Sequence, residues 1–547
     1  MSDFVSVNHN YVFLEGGTGI RIGLALYHVL SSRAYARGGA SENWKFIFET
    51  MDAGPEEIKT LLRLLEADEK AVFRSPMFFF AYLKLAEKVR DRLARNKEMT
   101  LADISTKWLS EQLLVTIEQL ILNYEGGYFR DQQLASFISS VAVECALNTE
   151  EDKKAGFQAV LDDVIASNNT YEVRVAFAGS GIGGEGVTNL CTHPYVIKEL
   201  CIRHVMDELR MHRKQAEEYV EKILKIAVVM TGSAFRFPAV KTLTQDVASL
   251  VAGTLQNYPE ESARAVNLFY LLEHDACPVQ ADDASECAEQ HKRAHAIELV
   301  AAASIDDFFS RSTEDASKKQ CPVFPHYSFP GRSRTTWSSL GLSPEYRENL
   351  TARLRFDAAL FYWIRPQLIV SSEERSKGKL YESEFLMRMF HARSPKALED
   401  ILLRSEIDLD RDILNPLKAL LYKERQFLKY LREISLTGKN WETGAMPSPG
   451  YGTALFPVDR IEHMLNSPDI RDFGEMTGFS FDALSECPPD PLSKKAEDNI
   501  YHTRLTMDKL RRQTVYNKHG RPGTFAEVMA SIYGICSSRK EKHFGIF

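Results

Sequence analysis

The stretch YEVRVAFAGSGIGGEGVTNL, residues 171 to 190, breaks from β-branched and apolar residues into five glycines within eight positions: Gly179, Gly181, Gly183, Gly184 and Gly186. Val173 to Ala178 reads as a buried strand and the residues beyond the glycines as a helix. The glycines between them have two readings. Without a Cβ the backbone approaches an anion closely, while the unpaired N–H groups of the following helix point at it. A tight strand-to-helix turn also uses glycine for steric reasons alone.

Working outward, the same unit recurs near the N-terminus. YVFLEGG, residues 11 to 17, reads as a strand, Gly16, Gly17 and Gly19 as its turn, and IRIGLALYHVLSS as a helix with Ile22, Leu26, Val29 and Leu30 at helical spacing. WKFIFETMDAG, residues 44 to 54, reads as a second strand ending in Asp52 and Gly54, followed by a helix with Pro55 near its start. A largely helical stretch runs on to about residue 170. ILKIAVVMTGSAFRFP, residues 223 to 238, is a further strand bounded by Gly232 and Pro238. Strands alternating with helices predict a parallel sheet covered on both faces.

Residues 285 to 309 read as a helix with an apolar second half, and the Pro-containing segment after it as a boundary or long surface loop. Beyond it amphipathic helix dominates, with breaks expected at 371–379, 437–452 and 486–498. The organisation expected is a nucleotide-binding α/β domain over 1–270, a core helix and linker over 271–335, and a mostly helical region over 336–547.

The chain has 547 residues and 44% hydrophobic composition, enough for a large core. A net charge of -8 and a pI near 6.0 give no overall basic field, so no strong nucleic-acid signal arises. The eight cysteines include no C-x-x-C pair and read as reduced thiols. The N-terminus has no basic region followed by a long apolar stretch, and no run of about 18 apolar residues occurs. A cytoplasmic protein without a membrane segment is expected.

A P-loop is excluded, since no G-x-x-x-x-G-K-[ST] occurs. For a dinucleotide fingerprint, GGTGIRIG offers Gly17 and Gly19 but Ile22 where the third glycine belongs. GSGIGG, residues 179 to 184, meets the spacing but lies deep in the chain. A dinucleotide-dependent oxidoreductase therefore stays open as an alternative.

Read together, these pieces resemble the tubulin and FtsZ superfamily, and more closely its divergent bacterial tubulin-like branch. That family opens on a strand and a G-G-T-G turn, matched by Gly16, Gly17, Thr18 and Gly19. FETMDAG resembles its acidic second turn. Its second phosphate loop, G-S-x-x-G-G-T-G, is matched by Gly179, Ser180, Gly181, Ile182, Gly183, Gly184, Glu185 and Gly186, and VVMTGSAFRFP resembles the strand and turn that follow. LNYEGGYFRDQQLASF, residues 122 to 137, is similar to a loop of the bacterial branch, and AEQHKRAHAIELVAAASIDDFF to its long helix. The resemblance spans residues 11 to 309.

It implies a Rossmann-like three-layer α/β sheet of tubulin/FtsZ type with a mostly helical C-terminal region. It implies binding of GTP or GDP with Mg²⁺ carried by the nucleotide, and a nucleotide state that controls self-association into homo-oligomers or filaments. Gly16 to Gly19 and Gly181, Gly183, Gly184, Glu185 and Gly186 would cradle the phosphates, with Ser180 and Thr188 as hydroxyl donors. Asp52 would lie near the nucleotide edge, and Gly126, Gly127 and Arg130 would close over the terminal phosphate.

Three departures from the family pattern stand out. Glu185 replaces a Thr, placing a carboxylate where phosphate is expected. Pro194 predicts a helix start displaced from the loop. The acidic segment that completes hydrolysis in tubulin-type GTPases has no clear match around Glu260, Glu261, Glu273 and Asp275. No catalytic residue is assigned, and a non-hydrolysing tubulin-like scaffold is the second expectation. His295 and Glu298, with Glu289 and His291 upstream, read as a packing network rather than a metal site. The basic run from Lys509 to Arg521 reads as a solvated helix end.

Overall fold

The structure, a computed structural model, describes residues 8–37, 43–49, 56–67, 77–78, 156–181, 184–231, 235–236, 256, 260–274, 279–280, 294, 296–312, 326–327, 337, 340–436, 455–456, 458–466, 507–518 and 521–537. The chain divides into two compact units, one of Met1–Tyr27, Ser41–Ser333 and Ser448–Tyr451, the other of His28–Ala40, Arg334–Pro447 and Gly452–Phe547. The division falls inside the first helix.

The first unit is built on a seven-stranded sheet in the order β3-β2-β1-β4-β5-β7-β9. Its strands are β1 (His9–Glu15), β2 (Asn43–Glu49), β3 (Met77–Phe78), β4 (Val173–Ser180), β5 (Leu224–Thr231), β7 (Leu268–His274) and β9 (His326–Tyr327). Every pairing in it is parallel. Two further two-residue strands, β6 (Phe235–Arg236) and β8 (Val279–Gln280), pair with each other. The helices are α1 (Gly16–Arg37), α2 (Glu56–Ala67), α3 (Gly156–Ala166), α4 (Gly184–Leu209), α5 (Arg213–Ile223), α6 (Glu260–Ala265) and α7 (Ala296–Ser310).

Both faces of the sheet are covered, which the continuous apolar runs of β4 and β5 require; all eight residues of each are buried. Successive side chains point to opposite faces. On one face Phe13 and Phe177 meet Phe157 of α3 and His193 of α4. On the other, Leu14 lies under Gly23 of α1, Trp44 packs edge-on against Phe309 of α7, and Arg174 donates to the carbonyls of Phe308, Phe309 and Arg311. The result is a Rossmann-like, doubly wound α/β arrangement. Its order reverses between β1 and β4, the place where such sheets open a crevice beyond the carboxyl ends of their strands.

The N-terminal edge of the sheet carries a separate polar tie. Asp163 of α3 accepts from His9 at 2.7 Å, from Lys45 at 3.0 Å and from the Tyr11 hydroxyl, and Lys45 also donates to Tyr11. Burial acts to raise the Asp163 carboxyl, but those bonds and the Lys45 charge outweigh it and hold it well below the usual carboxylate range.

The second unit is helical in its described part, apart from the short pair β10 (Asn517–Lys518) and β11 (Arg521–Pro522). Its helices are α8 (Pro344–Ala359), α9 (Arg365–Leu368), α10 (Ser372–Ser376), α11 (Glu384–Met389), α12 (Pro395–Arg404), α13 (Asn415–Leu436), α14 (Val458–Asn466), α15 (Met507–Gln513) and α16 (Phe525–Ser537). Ser-Pro steps start two of them: Ser343 and Ser394 take the cap position with Pro344 and Pro395 behind them. The expected break at 371–379 contains the short helix α10. Its Ser371 and Glu374 form a reciprocal capping box, a signal that the charged composition hid. Two π-helical segments, Leu360–Ile364 and Asp410–Leu414, interrupt the helical ladder. The breaks expected at 437–452 and 486–498 fall wholly outside the described residues. No described helix is long and apolar enough to cross a membrane.

Candidate functional site

The two glycine turns lie side by side at the point where the strand order reverses. Glu15 ends β1 in register with Gly179 near the end of β4. Helix α1 begins at the very next residue, Gly16, so Gly16 to Gly19 form a first helical turn rather than a loop. Gly16 takes φ +65°, a left-handed value that glycine adopts without strain and that turns the strand into the helix in one residue. After β4 the chain turns at Gly181, whose N–H donates to Thr231 O at 2.8 Å and ties the turn to the end of β5.

Helix α4 then starts at Gly184 and continues through Pro194, so the displaced start expected from that proline does not occur. Proline costs an interior helix roughly 3 kcal/mol, because it removes a donor and crowds the turn before it. Here burial of Leu190, Ile197, Cys201 and Val205 holds the helix, and the Ser262 hydroxyl donates to the carbonyl of Cys191 in that turn. Glu185 is the second residue of α4.

Packing restricts four of the turn glycines. A Cβ on Gly19 would stand 2.6 Å from Ala178 O and 2.6 Å from Leu14 C, and one on Gly179 2.9 Å from Glu15 O. One on Gly186 would lie 3.0 Å from Ser180 O, and one on Gly181 3.0 Å from the Met230 sulfur. The helices therefore sit directly on the strand backbones, as the packing glycine of a nucleotide-binding turn does. Their initial N–H groups, which have no partner within the helix, belong to helices that start at the carboxyl ends of two neighbouring strands.

Between the turns lies a polar cluster that the sequence reading missed. The Glu15 carboxylate, fully buried, accepts from Asn189 Nδ2 at 2.7 Å and from His193 Nδ1 at 2.8 Å. Asn189 and His193 are four residues apart on α4 and so share one helix face. The cluster pins the end of β1 to the second turn of α4, fixing one glycine turn relative to the other. Asn189 Oδ1 is buried and accepts nothing among the described residues.

Of the residues read as a phosphate site, Gly16, Gly17, Thr18, Gly19, Ser180, Gly181, Gly184, Glu185, Gly186 and Thr188 fall in these two turns and the helix starts behind them. Thr18 and Ser180 are buried. Asp52, Gly126, Gly127, Arg130 and Gly183 lie outside the described residues, as do Asp275, Glu289, His291 and His295. Glu298 is buried in α7, away from the turns in sequence, while Glu260 is exposed and pairs with Arg264. Burial pushes the Cys191 and Cys536 thiols up to about 12, which removes both as nucleophiles at neutral pH.

No family model, curated protein or solved structure matches the chain. The functional reading therefore rests on the site itself.

Proposed function

We propose that this chain binds a guanine nucleotide in the manner of tubulin and FtsZ, with Mg²⁺ carried by the nucleotide, and uses the bound state to control self-association. One observation carries the reading. Two helices start at the carboxyl ends of adjacent strands, β1 and β4, α1 directly after its strand and α4 after a three-residue turn, from opposite faces and at the reversal of strand order. The order of the motifs along the chain favours the tubulin type over a dinucleotide enzyme, because the hexapeptide GSGIGG follows β4 and not the first strand. The orphaned acceptor Asn189 Oδ1 would accept from a donor such as water held by the nucleotide's Mg²⁺.

Mass spectrometry of nucleotide released from the purified chain tests this directly. GTP or GDP supports the reading; a nicotinamide or flavin dinucleotide, or no binding of added GTP, rejects it. Assembly is tested by light scattering with and without GTP. Gly184→Val with unchanged GTP affinity would also reject the cradle.

A second reading, binding without turnover, is favoured by Glu15. It is an acid at the turns, yet both of its oxygens are already engaged and leave it poorly placed to orient a water. Phosphate release that rises more than linearly with protein concentration rejects this second reading.

A further inference from the structure

The helical unit buries a group of charges that the proposed nucleotide site does not use. Arg353 on α8 and Glu424 on α13, neither with any exposed side-chain surface, pair through Nε and Oε2 at 2.7 Å. The guanidinium also donates to Ser31 Oγ at 2.7 Å and lies 4.1 Å from the centre of the Phe427 ring. Asp357, one turn along α8 from Arg353, is equally buried and faces Glu424. Among the described residues no N–H or O–H donates to either Asp357 oxygen or to Glu424 Oε1. Two buried carboxyls thus face the Arg353 guanidinium and lack protein donors for three oxygens.

A buried carboxylate without donors is costly, and two of them against a single guanidinium leave one negative charge without a partner. One proton removes both difficulties, since a protonated carboxyl donates to its neighbour and cancels the surplus charge. We infer that Asp357 and Glu424 hold one proton between them in the interior of the helical unit, locking its helices while the proton is in place and loosening them when it is withdrawn. The other titratable groups nearby do not take over this role. His28 on α1 is held well below the usual histidine value by burial and by the charges of Arg353 and Lys423, so it is neutral. Cys536 on α16 is neutral through burial, and Tyr430 and Tyr533 are buried phenols. Lys423 and Arg355 are cations that donate neither to an Asp357 oxygen nor to Glu424 Oε1.

The direction of the effect follows. Burial, and next the charge of Glu424, raise the Asp357 carboxyl well above its usual range, against the opposing pull of Arg353. Folding therefore takes up a proton wherever the unfolded chain has lost it. The stabilisation is complete below the ordinary carboxylate range and is lost as pH rises through the raised folded value.

The test compares the full chain with Asp357→Asn, whose amide donates to Glu424 without titrating. In the window above the ordinary carboxylate range, the unfolding constant of the helical unit in the wild type is expected to rise up to tenfold per pH unit relative to the variant. Parallel pH profiles for the two proteins overturn the inference. Should Asp357→Asn fail to fold, infrared spectra of the wild type with ¹³C-labelled Asp or Glu carboxyls decide alone. A protonated-carboxyl band at mildly acidic pH that moves with the label and vanishes at alkaline pH supports the shared proton. Absence of that band while the chain is folded refutes it.

Discussion

Gly19→Ala is the substitution for which the geometry gives the clearest expectation. The new Cβ would stand 2.6 Å from backbone atoms of both β1 and β4, where ordinary contact begins at 3.4 Å, so the start of α1 must lift by 3.4 - 2.6 = 0.8 Å. Neither strand can give way, because Leu14 and Ala178 are fully buried in the centre of the sheet. Overpacking of this kind costs about 1–3 kcal/mol. Alanine's helix propensity returns about 0.5–1 kcal/mol, leaving a net loss centred on about 1 kcal/mol and reaching about 2.5 kcal/mol. In a unit of this size that lowers Tm by several degrees, read by scanning calorimetry. Gly534→Ala is the matched control, since Gly534 sits in α16 with nothing within 4 Å of its added Cβ. It should gain up to about 1 kcal/mol in the helical unit. Equal or higher stability for Gly19→Ala would refute the close packing of α1 on the sheet.

Glu15→Ala strands the buried donors of Asn189 and His193, at about 1–3 kcal/mol each, and should lower the urea midpoint of the α/β unit and its affinity for GTP together; an unchanged midpoint contradicts the tie. Arg174→Met removes the donor to three carbonyls at the end of α7 and leaves Glu172 unpaired, for an expected loss of about 3 kcal/mol or more by chemical denaturation. Asp163 has a depressed folded value, so its stabilisation is present above the ordinary carboxylate range and lost as pH falls below it. Acid titration of Asp163→Asn should therefore show a flatter stability profile than the wild type, while identical profiles would remove Asp163 as a source of acid lability.

What was legible in the sequence is what backbone chemistry writes locally. The apolar runs of β4 and β5 and the glycines behind β1 and β4 announce a covered parallel sheet with sharp turns into helices. The structure sharpens this at Gly16, where the helix begins at once. What was hidden depends on partners far apart in the chain. Glu15 reads as an unremarkable acid at a strand end until Asn189 and His193 arrive from 174 and 178 residues away. Their four-residue spacing was the available signal. Arg353 and Asp357 likewise have the spacing of an exposed helical ion pair, and only the approach of Glu424 makes them interior. The division of α1 between two units leaves no local mark, because helical periodicity continues through Tyr27 and His28.

The packing demands on the glycines limit which experiments speak to function. Gly19 and Gly179 would be required by this sheet whether or not an anion ever entered, since their Cβ positions collide with the protein's own backbone, and Gly186 is nearly as tight. Loss of GTP binding after substituting any of them would report a shifted helix as readily as a lost ligand contact. A diagnostic substitution must leave β1, β4 and their helices where they are. Gly184→Ala satisfies this better than Gly184→Val, because alanine is the residue best suited to a helix and Gly184 already belongs to α4. If the initial N–H groups of α4 meet phosphate, Gly184→Ala should keep the Tm of the α/β unit within about a degree while weakening GTP binding. Unchanged affinity together with unchanged Tm would assign the turn after β4 to packing alone.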